Sequence, residues 1–214
     1  MAIVSKMNRC AACGSTALTY SEGTKLYRCA DCGAERPDTM PAADLAAIAA
    51  VDGLVPDGMI RDFARSFGGV EHRIEFVREA DGVKYYNDSI ATSPSRVISG
   101  VRAFNQKIIA IQGGSDKGND LSVMVPDLLT HVKILILNGA TADKIEQAVL
   151  AAPDYDPDQL QIIKVKDLAQ AVEAARKAAQ PGDIVSLCPA CPAFDQFKTF
   201  EYRGREFKRL VNAF

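Results

Sequence analysis

The sequence predicts an α/β protein in which a mostly parallel sheet carries helices on both faces and follows a small cysteine-rich module. Two observations support this. From residue 73 onward, short apolar runs typical of buried strands alternate with amphipathic helical segments, which is the pattern of a parallel sheet with crossover helices. Before them stand four cysteines in two C-x2-C pairs. A chain of 214 residues can bury one good core and still carry a small appendage.

Composition excludes several classes of protein. Hydrophobic residues make up 48% of the chain and charged residues 24%, as in an ordinary globular protein. A net charge of -2 argues against a nucleic-acid partner bound through phosphate neutralisation. No apolar run approaches the roughly 20 residues that cross a bilayer, and residues 1–6 lack the apolar stretch of a secretory signal. We therefore expect a cytoplasmic protein without membrane insertion, whose six cysteines are ligands or free thiols rather than disulfides.

The first module carries the pattern of a metal site. Its two cysteine pairs are Cys10 with Cys13 and Cys29 with Cys32. A glycine follows each pair, which lets the backbone turn so that four thiolates form a closed tetrahedral shell suited to structural zinc. Residues 17–20 and 25–28 alternate as a short hairpin between the pairs. The spacing predicts a zinc ribbon over residues 1–40, with redox thiols as the alternative.

A short helical segment follows the ribbon. The Ala-rich residues 42–51 predict one helix, and residues 56–67 predict a second that ends at Gly68 and Gly69. We expect residues 41–70 to form a linker and residues 71–214 to form the α/β domain.

The α/β domain begins with a hairpin and continues with strictly alternating elements. Asp81-Gly82 is a strong turn signal between two strands. The predicted strands are 73–78, 83–86, 107–111, 132–137, 160–165 and 184–187, and the predicted helices are 94–104, 122–129, 142–151, 168–179 and 200–212. This order predicts a Rossmann-like sheet covered on both faces.

Two loops after predicted strands have the composition of binding loops. Residues 87–94 enter a helix with Ser93 as N-cap and Pro94 in its first turn, so that spare amides and hydroxyls could hold an anion. A plain capping turn explains them equally well. Residues 112–120 are Gly-rich and carry Lys117, a point charge for a carboxylate or phosphate. They match no nucleotide-binding fingerprint.

The third loop follows the strand 184–187 and is the most informative feature of the chain. It runs from Cys188 to Phe207 and is rich in Phe, Asp, Gln and Lys. Because ligands gather beyond the carboxyl ends of parallel strands, it is a candidate site, although a capped strand-to-helix turn fits the same residues. Prolines at 189 and 192 favour a structural role for Cys188 and Cys191.

The two histidines do not supply a catalytic arrangement. We expect His72 to be a hydrogen-bonded hinge residue and His131 to lie on the surface near a helix end. Neither a Ser-His-Asp triad nor a P-loop can be assembled from them and the glycines of the chain.

Four motifs taken together resemble a known family. They are His72-Arg73-x-Glu75, Asn87-Asp88-Ser89-x-Ala91-Thr92-x-Pro94, Gly113-Gly114-x-Asp116-Lys117, and Pro189-Ala-Cys191-x-x-Phe194-Asp195-x-Phe197-x-x-Phe200-x-x-Arg203-Gly204-x-x-Phe207. In this order, from about residue 42 to the end, they resemble the C-terminal domain and the end of the central domain of the Mur ligases. The closest branch is the one that adds D-glutamate to the peptidoglycan precursor.

The resemblance implies an ATP-dependent, amide-forming ligase. In the family, ATP with magnesium phosphorylates the carboxylate of a uridine-nucleotide-linked substrate, and the amine of the amino acid then displaces phosphate. The resemblance implies that Arg73 contacts phosphate and that Asp88 contacts the ribose. It also implies D-glutamate contacts from Thr92, Lys117 and the 193–200 loop, which includes Ala193, Phe194 and Phe200.

Departures from the family pattern qualify these expectations. Ala193 stands where the family usually has serine, and Ile90 where many members have lysine. The chain also lacks G-K-[ST], so we expect it to be inactive alone and to need a Mur-type ATPase domain in cis or in trans. The ribbon resembles a four-cysteine insert in the Mur-ligase-like subunit that amidates lipid II, which is one alternative. A partner-binding module without catalysis and a domain that binds a nucleotide unaided are two others.

Overall fold

The computed structural model describes residues 18–21, 26–29, 35–37, 56, 59 and 69–214. Contacts divide the chain into two compact units, residues 1–67 and residues 68–214. The further division near residue 40 stays a prediction.

The first unit contains a three-stranded antiparallel sheet. Its strands are β1 (Leu18–Ser21), β2 (Leu26–Cys29) and β3 (Glu35–Pro37), in the order β1-β2-β3. The antiparallel pairing of β1 with β2 confirms the predicted hairpin, and β3 was not predicted. Cys29 ends β2, whereas Cys10, Cys13 and Cys32 lie outside the described residues. The predicted helices over 42–51 and 56–67 also lie outside them, apart from residues 56 and 59.

The second unit confirms the predicted alternation of strands and helices. Its elements are β4 (Glu75–Ala80), β5 (Val83–Asn87), α1 (Pro94–Val101), β6 (Ile108–Gly113), α2 (Val125–His131), β7 (Val132–Asn138), α3 (Ala142–Leu150), β8 (Gln161–Lys164), α4 (Leu168–Ala178), β9 (Ile184–Leu187) and α5 (Phe200–Asn212). The strand order is β4-β5-β9-β6-β7-β8. All neighbours pair in parallel except β4 with β5, which form the predicted hairpin.

Apolar residues on both faces of the sheet build two separate cores. On β6, Ile108 and Ala110 pack into one core while Ile109 and Ile111 pack into the other, as the two-residue period of a strand requires. The first core is closed by α1, α2 and α3, and the second by α4 and α5. Both layers are needed because β6 is buried along its whole length.

Most element boundaries lie within three residues of the prediction, and two of the differences have clear local reasons. The first strand of the domain begins at Glu75 rather than Arg73, because His72 and Ile74 have φ angles of 64° and 43° that no strand accommodates. The helix expected over 122–129 is a 3₁₀ turn, Ser122–Met124, followed by α2. Pro126 lies in the first turn of α2, where its missing N–H costs nothing.

The turn at Asp81-Gly82 has the geometry that its sequence indicates. Both residues have positive φ angles, 54° and 76°, as a type I′ hairpin turn requires. Among the described residues, no helix is long and apolar enough to span a membrane.

Candidate functional site

Three loops leave the sheet at the same edge. They follow β5, β9 and β6, which are adjacent and parallel, so their carboxyl ends point the same way. The first loop (residues 88–93) carries Thr92, the second (residues 113–121, counted from Gly113, the last residue of β6) carries Lys117, and the third (residues 188–199) carries Ala193 and Phe194. We call them the Thr92 loop, the Lys117 loop and the tail loop.

Backbone hydrogen bonds join the three loops to one another. Ala190 N donates to Ala91 O at 2.9 Å, which ties the tail loop to the Thr92 loop. Gly113 N donates to Pro189 O and Ser115 N donates to Pro192 O, both at 2.9 Å. These two bonds tie the tail loop to the end of β6 and to the Lys117 loop. The backbones of the three loops are therefore joined at this edge of the sheet.

The start of the Lys117 loop is possible only with glycine. At Gly113, with φ 126°, a Cβ would lie 1.7 Å from the carbonyl oxygen of Asn138. At Gly114, with φ 144°, it would lie 2.1 Å from the carbonyl oxygen of Pro192. These two glycines let β6, β7 and the tail loop approach closely at the site.

The Lys117 loop is also held from α3. Lys144 Nζ lies 3.1 Å from Asp116 Oδ2 and 3.3 Å from Asn119 O. The backbone hydrogen bond from Gly118 and the Lys144 ammonium lower the pKa of Asp116. Lys117, between these anchored residues, is exposed.

A buried arginine from α5 reaches all three loops. The guanidinium of Arg203, a residue 4% exposed, donates to Ser89 Oγ, Ser89 O and Cys191 O at 3.0 Å each, and to Gly113 O at 3.4 Å. Burial lowers its pKa to about 10, so it remains charged at neutral pH. Each charge-assisted bond contributes roughly 1.5 to 3 kcal/mol, which offsets the cost of desolvating the cation.

The tail loop is fastened on its other side to the turn after β7. Asp195 Oδ2 accepts from Ala140 N at 3.1 Å, and Gln196 Nε2 donates to Asn138 Oδ1 at 3.2 Å. A side chain at Gly139 in this turn would be strained at φ 74°, and its Cβ would lie 2.3 Å from Asp195 Oδ2 and displace that carboxylate. The loop is therefore fixed from both sides while Phe194 is 71% exposed.

His72 is hydrogen-bonded as expected, and its role as a hinge stays a prediction. Asn87 Oδ1 accepts from Ser89 N, so Asn87 Nδ2 faces His72 Nδ1 and Glu75 Oε2, each at 2.9 Å. His72 Nδ1 is then an acceptor and its Nε2 carries the proton. The ring lies edge-on to Phe200, with the centroids 5.8 Å apart, and so supports the start of α5.

The carboxylates beside His72 hold an ammonium group. Glu71, His72 and Glu75 lie close enough to form a metal ligand set. Lys208 Nζ, however, bridges Glu71 Oε1 at 2.8 Å and Glu75 Oε1 at 2.9 Å, and so occupies carboxylate oxygens that a metal would need. Burial would raise the pKa of Glu75, but hydrogen bonds from His72, Lys208 and Asn87 outweigh it and the pKa is lowered. The geometry therefore favours an ion-pair network here.

Asp88 is a buried carboxyl at the edge of this region. It is 4% exposed, and its Oδ1 accepts from Ile74 N at 3.3 Å. Burial raises its pKa to about 7, against smaller lowering effects of the Ile74 hydrogen bond, Arg73 and Arg96. Both protonation states are accessible near neutral pH.

The other predicted residues have the following environments. Arg73 is exposed, Thr92 and Phe200 are half-buried, and Ala193 is buried.

Cys188 and Cys191 are free, buried thiols. Burial raises the pKa values of both, to about 12 for Cys188, which supports a structural role for the two residues. His131 lies at the end of α2, as expected, and is partly exposed. Ser93 is the N-cap of α1 as predicted, but its hydroxyl meets Ser95 Oγ instead of capping an amide.

From the sequence, no role was predicted for Arg203, and none for Asp195 and Gln196 beyond their place in the 193–200 loop. A signal for Arg203 was available: it lies four residues before Phe207 and three after Phe200 on a helix, and so shares their buried face. For Asp195 and Gln196, whose partners are a distant turn, no comparable signal exists in the sequence.

Comparisons with known sequences point to D-glutamate ligases. UDP-N-acetylmuramoylalanine--D-glutamate ligase of Clostridium botulinum is 43% identical over 169 residues, which cover 79% of this chain and 37% of that protein. The Clostridium kluyveri enzyme of the same name is 45% identical over 168 residues, or 78% and 37% of the two chains. The chain thus spans little more than a third of the length of these curated relatives.

Comparisons with solved structures concern the fold alone. A bifunctional folylpolyglutamate synthase/dihydrofolate synthase from Yersinia pestis has a TM-score of 0.55 at 18% identity, covering 92% of this chain and 46% of that one. The Mycobacterium tuberculosis folylpolyglutamate synthase has a TM-score of 0.53 at 13% identity, covering 77% and 39%.

A family comparison matches residues 72–191, more than half of the chain, to the Mur ligase glutamate ligase domain. This range begins at the His72 motif and ends in the tail loop, so it includes the sheet and most of the residues that join its loops. The chain therefore belongs to the Mur ligase family.

Proposed function

We propose that this chain is the amino-acid-binding part of an ATP-dependent ligase that joins D-glutamate to UDP-N-acetylmuramoyl-L-alanine. The observation that carries the proposal is the joining of three loops at one sheet edge, in a chain 43% identical to a D-glutamate ligase. Such loops suit an amino acid because its carboxylates need a cation and several fixed donors.

Each predicted residue has a role in this proposal. Lys117 offers a charge to a carboxylate of D-glutamate, and Thr92 offers a hydroxyl from the neighbouring loop. Ala193, Phe194 and Phe200 form the wall on the tail-loop side. Because Ala193 has no hydroxyl to contact the substrate, the proposed ligand is D-glutamate or a similar dicarboxylate amino acid.

The nucleotide would lie beside the strained turn at His72. Arg73, exposed on that turn, would hold phosphate, and Asp88 would accept from a ribose hydroxyl. Asp88 fits that role because, among the described residues, no donor binds its second carboxylate oxygen and competes with a ligand. ATP with magnesium supplies the phosphoryl group that activates the acceptor carboxylate. A Mur-type ATPase domain, in cis or in trans, is the partner that completes the site.

Removing the charge of Lys117 tests this function. The full chain is combined with a fragment of a related ligase that supplies the nucleotide-binding and ATPase domains, and phosphate release is followed as D-glutamate is varied. A charge-assisted hydrogen bond contributes roughly 1.5 to 3 kcal/mol, so Lys117→Ala is expected to lower kcat/KM for D-glutamate by roughly 10- to 100-fold.

The matched control is Lys166→Ala. Lys166 is also an exposed lysine in a loop after a parallel strand, but it follows β8, two strands further along the sheet from β6. This variant is expected to keep the activity. Equal activity of Lys117→Ala and the unchanged chain would refute the role of Lys117, and no D-glutamate-dependent release at all would refute the proposed function.

We also propose that residues 1–40 bind structural zinc through Cys10, Cys13, Cys29 and Cys32. Elemental analysis of the purified chain is expected to find about one zinc per chain, because four thiolates close a tetrahedral shell. Cys10→Ser with Cys13→Ser should abolish it, since two ligands rarely retain the ion. Cys191→Ser is the control that keeps the metal. A zinc-free chain after preparation without chelators would rule the site out.

A further inference from the structure

One side chain contacts all three loops that build the proposed site. Arg203 Nη2 donates to Ser89 O in the Thr92 loop, and Arg203 Nη1 donates to Gly113 O at the start of the Lys117 loop and to Cys191 O in the tail loop. Arg203 Nε donates to Ser89 Oγ. The family range matched above ends at residue 191, and Arg203 lies beyond it.

The contacts are those of a spacer between loops rather than of an ion pair. The hydrogen bonds recorded for Arg203 in the described part of the chain all end on carbonyl or hydroxyl oxygens of these loops, and none ends on a carboxylate. The guanidinium also packs closely against Gly114, where even a Cβ would lie only 3.1 Å from Arg203 Nη1. The side chain of Arg203 therefore has little freedom to move. A buried cation that donates to several fixed acceptors sets the distances between the backbone segments that carry those acceptors.

Arg203 is also linked to the backbone of Phe200 through the Ser89 hydroxyl. Ser89 Oγ accepts from Arg203 Nε at 3.0 Å and donates to Phe200 O at 2.7 Å. The Ser89 hydroxyl therefore links the Thr92 loop to the first turn of α5, the helix that carries Arg203.

We propose that Arg203 is the positioning residue of the site: it sets the spacing of the three loops and, through Ser89, of Phe200, and thereby the affinity for the amino acid. The second half of this statement rests on the proposed function, whereas the first half does not. A misplacement on the order of 1 Å costs up to roughly 100-fold in rate, so loop spacing is a sufficient cause.

Lysine cannot replace the guanidinium here. An ammonium group has three donors around one point, whereas the planar fork of Arg203 reaches Ser89 with Nε and Nη2 and, on its other side, Gly113 O and Cys191 O with Nη1. Arg203→Lys keeps the charge but is expected to release at least one loop.

The test measures loop order and substrate affinity separately. Amide hydrogen exchange of the full chain is followed at Gly113, Ser115 and Ala190, whose N–H groups bond across the loops. Arg203→Lys is expected to speed exchange at these amides by at least about tenfold, and in the reconstituted ligase to raise KM for D-glutamate more than it lowers kcat. Adding guanidinium ion at millimolar concentration to Arg203→Ala is expected to restore slow exchange.

Val149→Ala is the control for simple loss of stability. Val149 is fully buried on α3, in the core on the opposite side of the sheet from α5. The Val149→Ala variant should destabilise the domain without selectively speeding exchange at the amides of Gly113, Ser115 and Ala190. Unchanged exchange in Arg203→Lys, or the same pattern in Val149→Ala, would overturn the proposal. If Arg203→Lys speeds amide exchange but the unchanged chain has no D-glutamate-dependent activity, the proposed function is refuted and the role of Arg203 in loop spacing stands.

Discussion

Gly113→Ala is expected to destabilise the α/β unit by about 4 kcal/mol, combining a strained backbone angle with an overpacked contact. The φ angle of 126° is unfavourable for alanine, and the added Cβ would lie 1.7 Å from Asn138 O. The contact cannot be relieved by a side-chain rotation, because the oxygen belongs to the backbone and Gly113 pairs with Asn138 at the end of β6 and β7. Denaturant unfolding of the full chain, followed by circular dichroism, measures the loss.

Gly118→Ala separates the two causes. Gly118 also has a positive φ angle, 75°, but a Cβ there would meet nothing within 4 Å among the described residues. Only the backbone cost remains, and about 1 kcal/mol is expected. Similar losses in both variants would contradict the close approach of β7 to the loop.

Asp88→Asn is expected to remove a loss of stability that the unchanged chain suffers as pH rises from about 4 to about 7. The Asp88 carboxyl has an ordinary pKa of 3.8 and a folded-state pKa raised to about 7 by burial. Between these values the unfolded chain ionises while the folded chain holds its proton, so ionisation favours unfolding. At about 1.4 kcal/mol for each pH unit, the loss is at most about 4 kcal/mol, and it levels off above pH 7.

The measurement is the free energy of unfolding from pH 4 to pH 9. The difference between Asp88→Asn and the unchanged chain should grow with pH up to about 7 and then stay constant. Asp154→Asn, at an exposed position in the loop before β8, is the control and should follow the unchanged chain. Parallel curves for Asp88→Asn and the unchanged chain would contradict the buried state of this carboxyl.

Local patterns predicted most of the second unit. The turn at Asp81-Gly82 and the apolar runs that became β6 and β7 depend on neighbouring residues, which the sequence displays. The start of β4 was predicted wrongly because the positive φ angles of His72 and Ile74 arise from distant contacts, including the bond of Ile74 N to Asp88.

The site was predicted as a set of loops, but not as a set of contacts. The helix spacing places Arg203 on the buried face, but arginine is usually exposed, and its inward position depends on acceptors more than ten residues away in sequence. The same holds for Asp195, which bonds to the backbone 55 residues away. Long-range hydrogen bonds between loops have no periodic signature, and only the assembled fold displays them.

The central claim is that the three joined loops hold one amino acid, and a D-glutamate titration of the isotopically labelled full chain tests it most directly. The amide signals of Thr92, Lys117 and Ala193 are expected to shift together along a single saturation curve. D-glutamine, which lacks the side-chain carboxylate, should bind more weakly. Shifts confined to one loop, or equal affinity for the two amino acids, would contradict the account.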